Sequence, residues 1–102
     1  MDAPVVLINL FSVPQGKEEE FAKMWAEALE FIKNEPGFID ANLHRSLDPN
    51  ARFQFVNVAH WENQEAWQAA FDKLQPQELN KQVPFEQIPA LYEVAVHFEK
   101  SV

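Results

Sequence analysis

The chain has 102 residues, of which 47% are hydrophobic and 13% aromatic, so we expect a single domain over residues 1–102 with its own core. Its 16 acidic and 8 basic residues give a net charge of −8, which argues against nucleic acid and anionic membrane surfaces as partners. The absence of cysteine excludes disulfides and thiolate-ligated metals and suits a cytoplasmic protein. No apolar run approaches the roughly 18 residues of a membrane span.

The first third of the chain shows a strand pattern followed by a helix pattern. Val5 to Val13 is an apolar, branched run that ends at the turn signal Pro14-Gln15-Gly16. From Lys17 to about Asn34, apolar residues recur at helical spacing, and acidic residues near the start suit the positive end of the helix dipole. We therefore predict a strand over the first segment and a helix over the second.

The middle of the chain predicts a hairpin and a second helix. Phe38–Ser46 and Arg52–Trp61 have strand patterns, and the segment Leu47–Ala51 between them contains the turn residues Asp-Pro-Asn. Asn63 is placed to cap a helix that runs through Phe71.

The last part of the chain is interrupted by Pro76, Pro84 and Pro89, so it has room only for short helical turns before a final strand over Leu91–Glu99. The resulting order is βαββαβ. Connection rules favour the ferredoxin-like α+β arrangement for this order, with helices on one face of a four-stranded antiparallel sheet.

Both faces of the first predicted strand are apolar. Alternation places one set of side chains on each face, and two helices cover only one of them. We therefore expect a homodimer that packs sheet face against sheet face, with a monomer that exposes an apolar sheet as the alternative. The two sets are Val5, Leu7 and Phe11, and Val6, Ile8 and Leu10.

The segment Phe53 to Trp67 carries the clearest functional signal. Asn57 and Trp61 lie on one face of a strand that leads into a helix. An amide and an indole N–H beside aromatic rings are suited to a planar oxygenated ligand. The structural alternative is that both are core residues whose polar atoms are satisfied within the fold.

Three segments resemble the antibiotic biosynthesis monooxygenase family. They are PGF at Pro36–Phe38, HRSLD at His44–Asp48 and NVAHWENQEAW at Asn57–Trp67. The resemblance implies a dimeric α+β barrel. It also implies a family that includes cofactor-free oxygenases of polycyclic phenols, quinol oxygenases and haem-degrading enzymes.

Similarity to the cofactor-free oxygenases implies a set of site residues. Asn57, Trp61 and His44 match that pattern as catalytic residues, with His44 as a candidate base. Trp67 takes the place of a tyrosine, and Lys81 takes the place of an arginine that would supply positive charge. The remaining expected substrate-binding residues are Asn9, Phe11, Phe53 and Phe55.

The haem-degrading members resemble this chain less well at their functional positions. They use an asparagine, a tryptophan and a histidine. Asn9 matches the first, but Ala70 stands at the tryptophan position and Asn80 near the histidine position. His60 and His97 have no partner in a metal-ligand pattern. We therefore expect no metal and no cofactor, and haem degradation is disfavoured.

Oxygen chemistry without a cofactor requires an electron-rich substrate. Triplet O2 reacts slowly with closed-shell molecules, but a phenolate can give it one electron if the protein stabilises the anion. We therefore predict a cofactor-independent monooxygenase that acts on a phenolic, quinol or polycyclic aromatic small molecule. The alternatives are a small-molecule binder without catalysis and a dimeric interaction domain of the same fold.

Overall fold

The computed structural model describes residues 4–74 and 82–101, and it confirms the predicted ferredoxin-like α+β fold. The four strands form one antiparallel sheet in the order β2-β3-β1-β4. Neither helix of the described residues is long and apolar enough to cross a membrane. The elements are β1 (Val5–Ser12), α1 (Glu18–Ile32), β2 (Phe38–Arg45), β3 (Phe55–Trp61), α2 (Gln64–Leu74) and β4 (Glu86–Tyr92).

Helix α1 forms the main cover of one sheet face, here called the inner face. Its buried residues recur every three or four positions, which gives one apolar stripe. Near its start, the rings of Phe21 and Trp25 lie 4.9 and 4.7 Å from the ring of Phe11 on β1. Phe55 on β3 joins them at 5.0 Å from Phe21. This end of the sheet is therefore filled by a close-packed aromatic cluster.

Helix α2 is fastened at its first turn. The Oδ1 of Asn63 accepts a hydrogen bond of 2.8 Å from the N–H of Ala66, which confirms the predicted cap. Gly37, which has a φ of +85°, lies next to the first turn of α2. A Cβ added at Gly37 would stand 2.5 Å from the Cβ of Ala66. Its carbonyl also accepts a 2.8 Å bond from the N–H of Glu62. The turn before β2 therefore fixes where α2 begins.

The position predicted for the last strand is wrong. The strand is Glu86–Tyr92 rather than Leu91–Glu99, and residues 93–101 lie outside any strand. Pro89 is inside it, opposite Asn9 of β1. The sheet tolerates this proline because β4 is an edge strand, where one side needs no hydrogen bonds.

The other sheet face, here called the outer face, carries the apolar residues that alternation predicts, and neither α1 nor α2 covers it. Ile8 at its centre lies between Val58 of β3 and Ala90 of β4. Toward its edge, Ile88 and Tyr92 are 52% and 50% exposed. The single chain therefore leaves a broad apolar surface in contact with solvent.

Candidate active site

A cavity lies between the inner face and the two helices. The sheet contributes Asn9, Asn57 and Trp61, α1 contributes Trp25, and α2 contributes Trp67. All of its lining side chains are apolar or neutral, so within the described residues no titratable group reaches it. Its volume of about 30 Å³ has room for about two water molecules, so an aromatic ligand must displace a wall to enter.

Helix α2 is the wall best suited to move. Trp67, Phe71 and Leu74 line the cavity from this helix but are only partly buried, and Ala70 is its fully buried residue. Helix α1 has five buried residues. Because an element with less buried apolar area costs less to displace, we expect the cavity to open on the α2 side.

Two asparagines form the polar floor of the cavity. Asn9 and Asn57 are directly opposite each other on β1 and β3, and they are 1% and 2% exposed. The Asn9 Nδ2 donates a 3.0 Å hydrogen bond to the Oε1 of Gln87 on β4, which orients that amide. The Oδ1 of each asparagine has no partner in the described part of the chain.

Two indoles bring unpartnered donors to the same cavity. The Nε1–H groups of Trp61 and Trp25 are buried and make no hydrogen bond with residues 4–74 or 82–101. The Trp61 ring is held edge-on by Phe38 at 5.2 Å. Helical spacing predicts Trp25 only as one of the apolar positions of the first helix, because spacing does not show where an indole nitrogen lies.

These unpartnered atoms are unusual because they occur together. Across the described residues, four buried side-chain polar atoms lack a partner, and all four belong to residues that line this cavity. A buried polar atom with no partner at all would cost roughly 1–3 kcal/mol of folding free energy, so such atoms are expected where a ligand or an ordered water completes the hydrogen bonds. The cavity is therefore the candidate active site.

The structure brings together four of the residues expected from the sequence. Asn9, Asn57, Trp61 and Trp67 all line the cavity. Phe11 and Phe55 lie behind it in the aromatic cluster rather than on its surface. Phe53 precedes β3 and packs under the guanidinium of Arg52 at 5.1 Å, so it is not a wall of the site. Lys81 and Asn80 lie outside the described residues.

His44 does not belong to this cavity, which corrects its expected place beside Asn57 and Trp61. It pairs with Val56 on the outer face and is exposed, whereas its neighbour Leu43 faces inward opposite Asn57. A shift of one position along a strand reverses the face, so a strand assignment alone did not place this side chain.

The other ionisable groups of residues 4–74 and 82–101 also lie away from the cavity. His60 is on the outer face, where its Nδ1 lies 2.6 Å from Asp40 Oδ1. Arg45 bonds Glu19 at 2.5 Å, and this hydrogen bond and the carboxylate charge raise the pKa of the guanidinium. Within the described residues, no three histidine or carboxylate side chains are grouped to hold a metal ion.

Comparison with known proteins identifies the family. Residues 4–79 match the antibiotic biosynthesis monooxygenase family, and the chain belongs to it. The matched residues include α1 and α2 together with Asn9, Asn57 and Trp61.

Two relatives share more than a third of their aligned residues with this chain. A mycobilin-producing haem oxygenase of Mycobacterium tuberculosis is 42% identical over 66 residues, which are 65% of this chain and 61% of that protein. The matched part is thus less than two thirds of that relative's length. A candidate monooxygenase from Shewanella loihica PV-4 is 36% identical, with a TM-score of 0.84 over 95% of this chain and 99% of its own.

The cofactor-independent oxygenase SnoaB from Streptomyces nogalater has the same fold. Its TM-score is 0.80 at 22% identity, over 97% of this chain and 100% of its own. The sequence alone disfavoured haem degradation, yet the haem oxygenase is a relative with substantial identity. Family membership therefore leaves both kinds of oxygenase chemistry to be judged from the site.

Proposed function

We propose that this protein is a cofactor-independent monooxygenase that oxidises a planar phenolic, quinol or polycyclic aromatic compound with O2. The observation that supports it is the group of four buried, unpartnered polar atoms in a cavity with otherwise apolar walls. Once α2 moves aside, such a cavity would hold an aromatic ring by its walls and orient the ring oxygens by hydrogen bonds. Membership of the monooxygenase family points the same way.

The proposed role of the site is to stabilise an anion. The Nε1–H of Trp61 donates to the phenolate oxygen, and the amide of Asn57 orients the same ring. The electron-rich ring then transfers an electron to O2, and the two radicals combine to form a C–O bond. When a ring CH2 becomes a ketone, one oxygen atom enters the product. The other leaves as water with the two hydrogens, so O2 is the only oxidant required.

The proton of the substrate is expected to leave without a protein base. No titratable side chain among the described residues lines the cavity, so the phenol loses its proton to solvent or enters as the phenolate. Donors that bind the anion lower the pKa of the bound phenol. Turnover should therefore increase with pH until the bound phenol is ionised and then level off, with its midpoint set by the substrate.

Haem does not fit the residues of this site. Protein haem iron is held by histidine, cysteine, methionine or tyrosine. None of the three histidines lines the cavity, and residues 75–81 include none of these four residue types. Met24 lies in the aromatic cluster, and Tyr92 is on the outer face. The haem oxygenase relative still makes haem the second candidate, and a titration of the protein with hemin that produces a Soret shift would support it.

We further propose that the protein is a homodimer in which two outer faces pack together. The apolar side chains of β1, β3 and β4 on that face are uncovered in the single chain, and one sheet placed on another would bury them. Such packing leaves the cavity on the far side of each sheet, so each chain keeps its own site.

The proposal is tested by oxygen uptake of metal-free protein with a panel of hydroquinones, naphthols and anthrones. The wild type is compared with a Trp61→Phe, Asn57→Ala double variant and with His44→Ala, which changes an outer-face residue. Uptake that is lost in the double variant and retained in His44→Ala supports the oxygenase. Uptake no faster than the uncatalysed reaction overturns it, and ligand binding that persists without uptake would identify a binding protein instead.

A further inference from the structure

The indole of Trp25 is a polar group that the proposed chemistry does not use. It is 5% exposed, it lines the cavity, and its Nε1–H has no partner among the described residues. Buried indole N–H groups usually find a hydrogen-bond partner. A phenylalanine would serve a purely apolar packing role without leaving a donor unpaired. The N–H of Trp25 therefore calls for an explanation of its own.

Trp25 and Trp61 flank the asparagine pair along the strand direction. The Trp25 ring lies 4.7 Å from the ring of Phe11, which is two residues beyond Asn9 on β1. On β3, Trp61 is four residues from Asn57, a distance of roughly 13 Å along a strand. Trp61 pairs with Val5, at one end of β1, whereas Phe11 is near the other end. Trp61 and Phe11 therefore lie on opposite sides of the Asn9–Asn57 pair. The two indole rings therefore lie toward opposite ends of the asparagine pair.

We propose that Trp25 is a second ligand-anchoring residue, which donates a hydrogen bond to an oxygen at the end of the ligand opposite Trp61. The inference rests on the proposed ligand site but not on turnover. It makes the preferred ligand an elongated aromatic molecule with oxygen at both ends. A ligand with one oxygen leaves one of the two indoles unpaired.

The experiment measures binding by calorimetry without O2, so that no ligand is oxidised. The probes are 2,6-dihydroxynaphthalene, with oxygens at opposite ends, 1,2-dihydroxynaphthalene, with both at one end, and 2-naphthol. The wild type should bind the 2,6-diol about tenfold more tightly than 2-naphthol, which is the gain from one buried hydrogen bond. It should also prefer the 2,6-diol to the 1,2-diol.

The decisive variant is Trp25→Phe, which keeps a ring and removes the donor. The ratio of the 2,6-diol and 2-naphthol Kd values should fall to about one, with the 2-naphthol Kd changed less than about twofold. Met24→Leu is the matched control, because Met24 is buried on the same helix without lining the cavity. This control should keep the tenfold ratio.

A second measurement follows the ligand on the wild-type protein. The indole ¹H–¹⁵N signal of Trp25 in the wild type, assigned by its loss in Trp25→Phe, should move downfield with the 2,6-diol and much less with the 1,2-diol. The proposal is overturned if the tenfold ratio persists in Trp25→Phe, if both Kd values rise together, or if the wild type binds none of the probes. Retained discrimination without oxygen uptake would instead overturn the oxygenase alone.

Discussion

The two faces of the sheet use the same alternating strands for opposite purposes. The inner face is covered by helices, yet it buries Asn9, Asn57 and Trp61 with unpartnered polar atoms. The outer face is covered by neither α1 nor α2, and there Val6, Ile8 and other apolar side chains are partly exposed. Among the described residues, the inner face therefore has buried polar atoms without hydrogen-bond partners. The outer face has apolar side chains that no other element covers.

The two faces therefore need different partners. Unpaired buried polar atoms are satisfied by a small ligand with oxygens, which fits a cavity. A broad apolar surface is satisfied by another apolar surface of similar size, which fits a second chain. In the proposed function the inner face serves the chemistry and the outer face serves the assembly, so substitutions on one face should leave the other unaffected.

The largest expected effect follows from replacing Asn57 with leucine. Asn57→Leu removes a buried amide whose Oδ1 has no partner among the described residues, so stability to denaturant should stay the same or increase by about 1 kcal/mol. Oxygen uptake should fall roughly 100-fold or more, since the amide that orients the substrate ring is lost. Asn42→Leu, the same change at an exposed outer-face position opposite Val58, should leave uptake unchanged. A clear loss of stability in Asn57→Leu would show that the amide is structural.

The outer face is tested by a charge at its centre. Val58→Asp places a carboxylate where two apolar faces would meet, so the dimer dissociation constant should rise by roughly 100-fold. Analytical ultracentrifugation over a concentration series measures this change. Ala69→Asp adds the same charge at an exposed position of α2 and should leave the dimer intact. A wild type that is monomeric at all concentrations would contradict the proposed assembly.

The cover of the inner face depends on Gly37. Gly37→Ala should lower the free energy of unfolding by about 2–3 kcal/mol, because alanine is strained at φ of +85° and its Cβ would meet that of Ala66. Gly16→Ala is the matched control. Gly16 has φ of +91° with no atom within 4 Å of an added Cβ, so only the backbone strain of roughly 1 kcal/mol remains. If urea denaturation showed the same loss of unfolding free energy in Gly37→Ala and Gly16→Ala, the contact between Gly37 and α2 would not contribute to stability.

The smallest expected effect is at His44. His44→Ala should change kcat for oxygen uptake less than about twofold and leave the pH profile in place, because the side chain lies across the sheet from the cavity. If the rise of kcat with pH disappeared in this variant, His44 would take part in the reaction. The assignment of chemistry to the inner face alone would then be wrong.

The fold was largely predictable because its signals are local. Alternation in β1, helical spacing in α1 and the cap at Asn63 each depend on residues a few positions apart. The last strand was misplaced because Pro89 was read as a break. A proline is tolerated in an edge strand, and whether a strand is at the edge depends on the order of the whole sheet.

The sequence by itself determined the element order, the family and the choice of Asn57 and Trp61 as polar residues of interest. Only the tertiary structure decided that Trp25 joins them and that His44 does not. The spacing of apolar residues predicts which side chains share a face of one helix or strand. A site forms where faces of different elements meet, and this spacing does not predict how they meet. Which nitrogen lacks a partner is settled by the packing of α1 against the sheet, and no spacing within a single element carries that information.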